Sequence, residues 1–461
     1  MFKTNYLLLS LVMAMTTVIA EDNTKKPQAP KPQASKLDDG KLHGYARLHH
    51  IFDGEANGFD KNTGSTMGLG LKYGQTFNKH LAIGGEFYGV RDTGFTNENK
   101  TVALGQFLGE SKTDLEIGHV SGVHFTLKAL PKKTKVSWAR SQFKSPLTKI
   151  QITHVPNMYE YLRVDTGVLS GNLSLSYITD MAYGSRSAAD FGLIGEGTGT
   201  AGMAVSPFSE SPVSLKRGEY NTISETIGGK VKSSGIAVLG YEKKIGALNI
   251  NLWDFKVDNI LNNLYAEADY KFGLGKGKAL ILSGQYLNQD MDSTVLNAAN
   301  GNTYGGAFYG AQAKLKYNKL VLIAAYNKKD DEGGLYNAWG ANPGYTSSIF
   351  SRNEYRDNVS AYKGTAVYNF AKNLKVMVSH ANYGQSDMVT SGKLKNGTAY
   401  KLASASDAKE TDIAIMYKPR KNIMLKLFNA NRTSEFDGAV GAGKTFEKTQ
   451  NHTRLIANYS F

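Results

Sequence analysis

Asn451-His452-Thr453-Arg454-Leu455-Ile456-Ala457-Asn458-Tyr459-Ser460-Phe461 closes the chain, and its alternation decides the fold. Thr453, Leu455, Ala457, Tyr459 and Phe461 make one mostly apolar face, while Arg454, Asn458 and Ser460 put polarity on the other. Side chains alternate sides along a strand, so the pattern suits a strand between lipid and a wet lumen, ending on an aromatic residue. A soluble edge strand can alternate in the same way, and the rest of the chain must carry the distinction.

The opposite end reads as an export signal. Residues 1–20 hold one charged side chain, Lys3, then an apolar run from Tyr6 through Met15 and the small-residue end Val18-Ile19-Ala20, with cleavage expected after Ala20. The run falls short of the roughly 20 apolar residues of a spanning helix. Residues 21–40 are rich in Lys, Pro, Ala and Gln without periodicity, and are expected to form a flexible periplasmic segment. Residues 41–461 show no linker or composition break, so one large barrel is expected. With Gly 49 and Tyr 26 against Pro 10, the composition suits a long antiparallel sheet with tight turns and aromatic rings at the membrane interfaces. Cys 0 excludes a disulfide framework and a thiol nucleophile. The net charge of +14 counts Lys3 and lysines of the leader, so it says little about ion preference, and nothing in it points to nucleic acid.

Eighteen segments can be laid down from Lys41 onward: Leu42 to His50, Thr66 to Tyr73, Leu81 to Val90, Glu116 to Leu127, Lys135 to Arg140, Tyr161 to Val168, Asn172 to Asp180, Gly235 to Tyr241, Leu248 to Phe255, Asn262 to Phe272, Leu280 to Asn288, Thr303 to Tyr317, Val321 to Asn327, Tyr355 to Phe370, Leu374 to Tyr383, Thr411 to Tyr417, Ile423 to Arg432 and His452 to Phe461. Their connections alternate between long and short, with the stretch Lys256 to Leu261 the weak member of the long set. An even count puts both termini on the side of the short turns, as in bacterial barrels; sixteen strands is the alternative. Leu42, Ala46, Leu48, Leu280, Leu282, Val376, Val378, Leu425 and Leu427 read as the lipid face. His43, Tyr45, Arg47, His49, Ser283, Gln285, Lys375, Ser379, Lys426 and Arg432 take the opposite phase.

The stretch Val136-Ser137-Trp138-Ala139-Arg140-Ser141-Gln142-Phe143-Lys144-Ser145-Pro146-Leu147, followed by Val155-Pro156-Asn157-Met158-Tyr159-Glu160, resembles the OprD family of outer-membrane porins. In that family a strand arginine leads into a Thr/Ser-Pro-Leu segment and a Pro-Asn near an aromatic residue and a Glu. Here the arginine stands in Ser-Trp-Ala-Arg rather than the glycine-arginine form. The stretches 338–347 and 356–362 resemble longer-looped versions from epsilon-class bacteria (Campylobacterota). The resemblance implies an all-β transmembrane antiparallel barrel of eighteen strands, a monomer or homotrimer, and a third external loop folded inward. Arg140, Pro146, Pro156, Asn157 and Glu160 are its constriction candidates. Alternation adds Arg47, Lys72, Arg163, Lys375, Lys426, Arg432 and Arg454 as lumenal basic candidates, with Lys256 near the mouth of a strand.

The function expected is passive diffusion of small hydrophilic solutes such as amino acids or organic acids, oriented by a transverse field between fixed arginines and carboxylates. Expected partners are outer-membrane lipid and lipopolysaccharide, and the barrel-assembly machinery through Phe461. No cofactor or metal is expected: the nine histidines lack zinc spacing, and no nucleophile elbow accompanies them. Gly192 to Gly199 lacks the Lys-Ser/Thr of a phosphate loop and reads as a flexible loop. An adhesin or surface receptor is the rival reading, because Met181 to Ser234, Lys328 to Glu354 and Gln385 to Ala408 are long enough to bind something outside.

Overall fold

The computed structural model describes residues 39–56, 59–95, 118–148, 154–182, 184, 219–226, 231–292, 303–336, 341, 343–349, 351, 353–354, 356–387, 389–393, 399–440 and 444–461. All eighteen expected segments overlap strands, and the barrel closes. The strands are β1 (Asp39–Ala56), β2 (Phe59–Phe77), β3 (Leu81–Asp92), β4 (Gly118–Leu130), β5 (Thr134–Ser141), β6 (Met158–Val168), β7 (Gly171–Ala182), β8 (Asn221–Thr222), β9 (Ile236–Ile245), β10 (Leu248–Val257), β11 (Leu261–Gly273), β12 (Lys278–Met291), β13 (Gly306–Tyr317), β14 (Leu320–Lys329), β15 (Ser360–Ala371), β16 (Leu374–Tyr383), β17 (Val389–Lys393), β18 (Ala399–Arg420), β19 (Ile423–Val440) and β20 (Lys444–Ser460). β8 and β17 are loop strands laid on β7 and β18. The other eighteen pair antiparallel in sequence order, and β1 pairs with β20 to complete the ring. Sixteen strands is therefore excluded, and no wall strand is left with an open edge inside the membrane.

The registers settle which side chains face in. Arg47 stands opposite Gly68, Lys72 opposite Glu86, Ala139 opposite Tyr161, Phe255 opposite Asn263, Asn327 opposite Ala361, Glu410 opposite Arg432, and Asn458 opposite Arg47 again. Followed strand by strand, the inward phase returns to its starting residue in phase. The other phase carries exposed Leu69, Leu175, Leu239, Leu282, Leu322, Val378, Ile415 and Leu427. Exposed Tyr73, Phe77, Tyr270, Phe272, Tyr317, Tyr368, Phe370, Tyr417, Tyr459 and Phe461 ring the short-turn end, and Tyr177, Tyr309 and Tyr362 the other. An apolar outer band between two aromatic girdles is the surface of a membrane-spanning barrel.

Several boundaries differ from expectation. β1 begins at Asp39, inside the expected leader, and the connection between the first two expected segments is mostly hairpin, because β1 and β2 run on to Ala56 and Phe59. β13 begins at Gly306 rather than Thr303, and β15 at Ser360 rather than Tyr355. The stretch Lys256 to Leu261 holds only a three-residue turn, Asp258-Asn259-Ile260, between β10 and β11, and Asn259 adopts φ 59 there. β18 has 22 residues and its neighbours β19, β20, β1 and β2 have 18, 17, 18 and 19, whereas β9, β10, β14 and β16 have 10 each. About ten residues suffice to span, so one side of the wall stands well above the apolar band. The export signal, residues 21–38 and the glycine-rich stretch 192–199 lie outside the described residues. Among the described residues no helix is long and apolar enough to cross a membrane.

Candidate permeation pathway

The nine loop-side connections are numbered L1 to L9 in chain order; among the described residues L3 and L7 line the inner wall at length, and Tyr220 and Ile223 of L4 pack on the same inner clusters. L3, between β5 and β6, opens with a tight turn at Ser145-Pro146-Leu147-Thr148: Pro146 supplies the fixed φ of the turn, and the Thr148 amide donates to the Ser145 carbonyl at 3.4 Å. The Thr148 hydroxyl donates back to the Phe143 carbonyl at 2.6 Å. That turn points Phe143 and Leu147 into a buried inner cluster with Trp253 and Phe255. The Phe143 ring lies 5.2 Å from Tyr161 and 6.3 Å from Phe255, with the Arg163 guanidinium 5.3 Å from its centroid.

The returning limb reaches the opposite flank of β5 and β6. His154 lies 4.1 Å ring to ring from His49, and its Nε2 is 2.9 Å from Thr66 Oγ1. The Tyr45 hydroxyl donates to the His154 carbonyl. Asn157 Oδ1 accepts from the Gly184 amide at 2.9 Å, tying L3 to the loop after β7. L3 thus reaches inner walls from β1 and β2 to β10, which is the inward fold expected of it. Burial lowers the Lys144 ammonium from its ordinary value, helped by Lys72 and Arg163. Burial, then Arg47 and Arg454, hold the His154 imidazole down to about 3.

L7, between β14 and β15, covers the other half of the wall. Its main chain is held by inward side chains: Gln289 accepts from the Tyr336 amide at 2.7 Å and donates to its carbonyl at 2.9 Å. Asn327 Oδ1 accepts from the Thr346 amide at 2.8 Å, Lys363 donates to the Ser347 carbonyl at 2.6 Å, and the Tyr383 hydroxyl donates to the Thr346 carbonyl at 2.7 Å. Glu410 accepts from the Ser351 amide at 2.7 Å and Asp412 from the Ile349 amide at 3.3 Å. Tyr345 OH donates to Glu267 at 2.8 Å. Lys328 to Glu354, expected as an outside loop, is instead largely an inner lining, because these wall groups satisfy backbone that would otherwise be hydrated.

Charge is unevenly spread around the inner wall. From β13 through β20 to β2 the inward phase carries Lys314, Lys316, Lys329, Lys363, Lys375, Lys426, Arg432, Arg454, Arg47 and Lys72, against Glu410 and Asp412. From β3 to β12 acids and bases mix: Glu86, Asp165, Glu242, Glu267 and Asp269 with Lys135, Arg163, Lys244 and Lys271. Lys72 bridges Glu86 at 2.9 Å, and Arg163 bridges Asp165 at 2.9 Å. Lys426 and Arg454 lie 5.1 and 5.4 Å from the centroid of one ring, Phe428, and Arg47 donates to Asn458 at 2.9 Å.

Seven of the eight basic candidates therefore share the inward phase. Lys256 does not: Phe255 and Val257 point in, so Lys256 faces outward beside the L5 turn. Pro146, Pro156 and Asn157 lie on L3. Arg140 and Glu160 pair at 2.6 Å at its root, on the phase of Trp138 and Leu162, with the Arg140 guanidinium 4.6 Å from the Tyr220 ring centroid. Lys314, Lys316, Lys329 and Lys363 were not singled out from the sequence, although the alternation that selects Lys375 selects them equally. Among the described residues no group of three His, Asp or Glu side chains could hold a metal.

No protein-family model matches the chain, and no curated protein matches it. Solved structures do. The crystal structure of Pseudomonas aeruginosa OccK9 (OpdG) superposes with a TM-score of 0.65 at 15% identity, covering 91% of this chain and 98% of that one. Acinetobacter baumannii OccAB2 gives 0.64 at 14%, covering 93% and 99%. Pseudomonas aeruginosa OpdK with vanillate gives 0.62 at 12%, covering 91% and 98%. At these identities the likeness is one of fold.

Proposed function

We propose that the protein is an outer-membrane porin through which small hydrophilic solutes diffuse passively, with organic acids and zwitterions such as amino acids favoured over cations. One observation carries this reading: among the described residues L3 and L7 narrow a closed barrel whose inner wall is basic over one half and mixed over the other. A transverse field of that kind orients a zwitterion or holds a carboxylate loosely, and the wet lumen spares the solute full dehydration. Vanillate, present in the similar OpdK structure, is an organic acid of the favoured class. The reading includes residues 1–20 as a secretory signal, residues 21–38 as a leader, a lipid and lipopolysaccharide surround, Phe461 as the mark read by the barrel-assembly machinery, a monomer or homotrimer, and kinship with the OprD-type porins of epsilon-class bacteria. Constriction by the L3 residues Pro146, Pro156 and Asn157 belongs to it as well, with the Arg140–Glu160 pair, on the outward phase at the root of L3, bracing the loop rather than lining the path.

The test is single-channel recording in a planar bilayer with a salt gradient, then with added amino acids and dicarboxylates. Discrete steps with an anion-directed reversal potential are expected. A surface-receptor role gains one observation, the tall wall of β18, β19, β20, β1 and β2. A folded barrel that never conducts would decide for it.

A further inference from the structure

We propose that Glu410 and Asp412 are positioning residues of the permeation path, holding Ile349 and Ser351 of L7 inside the barrel and so setting the width of the path beside β18 to β20. The inference rests on the porin reading. Both carboxyls stand on the inward phase of β18, and each residue is 1% exposed. They are the only acids described on the inward phase between β13 and β2, in the most basic part of the wall. A carboxyl group so buried is costly unless it is bonded, and a backbone amide donating to its oxygen supplies that bond. The Ser351 and Ile349 amides supply those bonds at 2.7 and 3.3 Å. Ser379 adds a hydroxyl to Asp412 at 3.4 Å.

The same contact places Ile349 on the inner apolar patch formed by Ala414, Phe428 and Ile456. Phe428 is the ring shared by Lys426 and Arg454. L7 is therefore a strap held on β12 through Gln289, on β14 to β16 through Asn327, Lys363 and Tyr383, and on β18 through the two acids. Releasing the β18 contacts leaves the other holds fastened. Ile349 and Ser351 would then move off Phe428 and widen the path past the two cations. While the strap is docked, it also screens the two acids from a passing solute.

The chain has Cys 0, so one introduced thiol reports without background. Ser351→Cys is placed in three proteins: otherwise native, Glu410→Ala/Asp412→Ala, and Glu410→Gln/Asp412→Asn. Each is reconstituted and exposed to a charged, membrane-impermeant methanethiosulfonate. Slow labelling is expected in the native background and in the Gln/Asn variant, whose amide oxygens still accept from the backbone. Labelling about tenfold faster is expected in the Ala variant, in keeping with the loss of the two backbone hydrogen bonds to the acids. Conductance should rise in the Ala variant only. An Ala variant that keeps its heat-modifiable gel mobility but labels and conducts as the native protein does overturns the proposal. Should the double variant not fold, each single Ala variant gives the same reading. If none of the proteins conducts, the porin reading fails while labelling still reports whether the acids hold the strap.

Discussion

The imidazole of His154 occupies the space that a β-carbon on Gly68 would need. The glycine of β2 is thus what allows the returning limb of L3 to press against the wall, next to Thr66 and His49. Gly68→Ala should push L3 off this seat at a cost of about 1 to 3 kcal/mol, the usual range for overfilling a packed site. The barrel ladder itself is untouched, so gel mobility should stay native while single-channel records become larger or noisier. Records indistinguishable from the native protein would show that this contact does not limit the path.

Docking of the same limb should depend on pH. His154 faces Tyr45, Arg47 and His49 of β1, Thr66 of β2 and Arg454 of β20, and burial with the two guanidinium groups holds its imidazole down to about 3. An imidazole in a released loop titrates near its ordinary value of about 6.5. The docked state therefore prefers the neutral ring. Its docking is fully present above about pH 6.5 and weakens by ~1.4 kcal/mol for each pH unit below that, until the docked ring itself titrates. Conductance recorded between pH 7 and pH 4 should grow less steady towards acid, and His154→Gln should flatten that trend. A pH trend unchanged by His154→Gln would assign it to other groups.

The fold was more legible in the sequence than the pathway was. Period-two alternation with short and long connections recurs in every wall strand, so the count of eighteen could be read from segments such as Leu374 to Tyr383 alone and together. Strand tops were not legible, because above the apolar band both faces of β18 and β19 are wet and alternation fades. Lys256 is not placed by the sequence because it stands one residue past the expected segment Leu248 to Phe255, and the inward Phe255 and Val257 look as lipophilic as a lipid face. L7 went unrecognised as a lining loop because its seat is made of side chains from five different strands bonding to its main chain, and backbone amides leave no mark in a sequence. The paired inward acids Glu410 and Asp412, alone amid lysines and arginines, were the one signal available.

Ion preference should follow the cations at Phe428. Lys426 and Arg454 share that ring on the basic side, whereas Arg163 is bound to Asp165 at 2.9 Å. Lys426→Gln with Arg454→Gln should reduce the anion-to-cation permeability ratio several-fold, because field lines in a narrow low-dielectric channel are focused on the remaining charges. Arg163→Gln should shift it less and in a direction set by the uncovered Asp165. The comparison is made by reversal potential in a salt gradient. Equal shifts from the two variants would place the selective charge elsewhere.

Closure of the ring depends on the last residue. The Phe461 amide donates to the Gly44 carbonyl at 3.1 Å, and the Gly44 amide donates to the Phe461 carbonyl at 2.9 Å. The Phe461 ring lies where a β-carbon on Gly44 would sit, 2.7 Å from its nearest ring atom, and 5.9 Å from the Tyr459 ring. Phe461→Ala keeps both backbone bonds and removes the ring from the girdle, with an expected cost of about 1 to 2 kcal/mol for a ring that is only partly covered. Gly44→Val keeps the ring but evicts it from its seat and also presses on the Gly70 carbonyl, 2.5 Å from the added β-carbon, so it should impair the same seam from the other side. Refolding into lipid, followed by unfolding in urea, should show both variants less stable than the native barrel. The double variant should be less impaired than the sum, since the valine would fill the space the ring has left. Strict additivity would mean that the two residues do not act on each other through that contact.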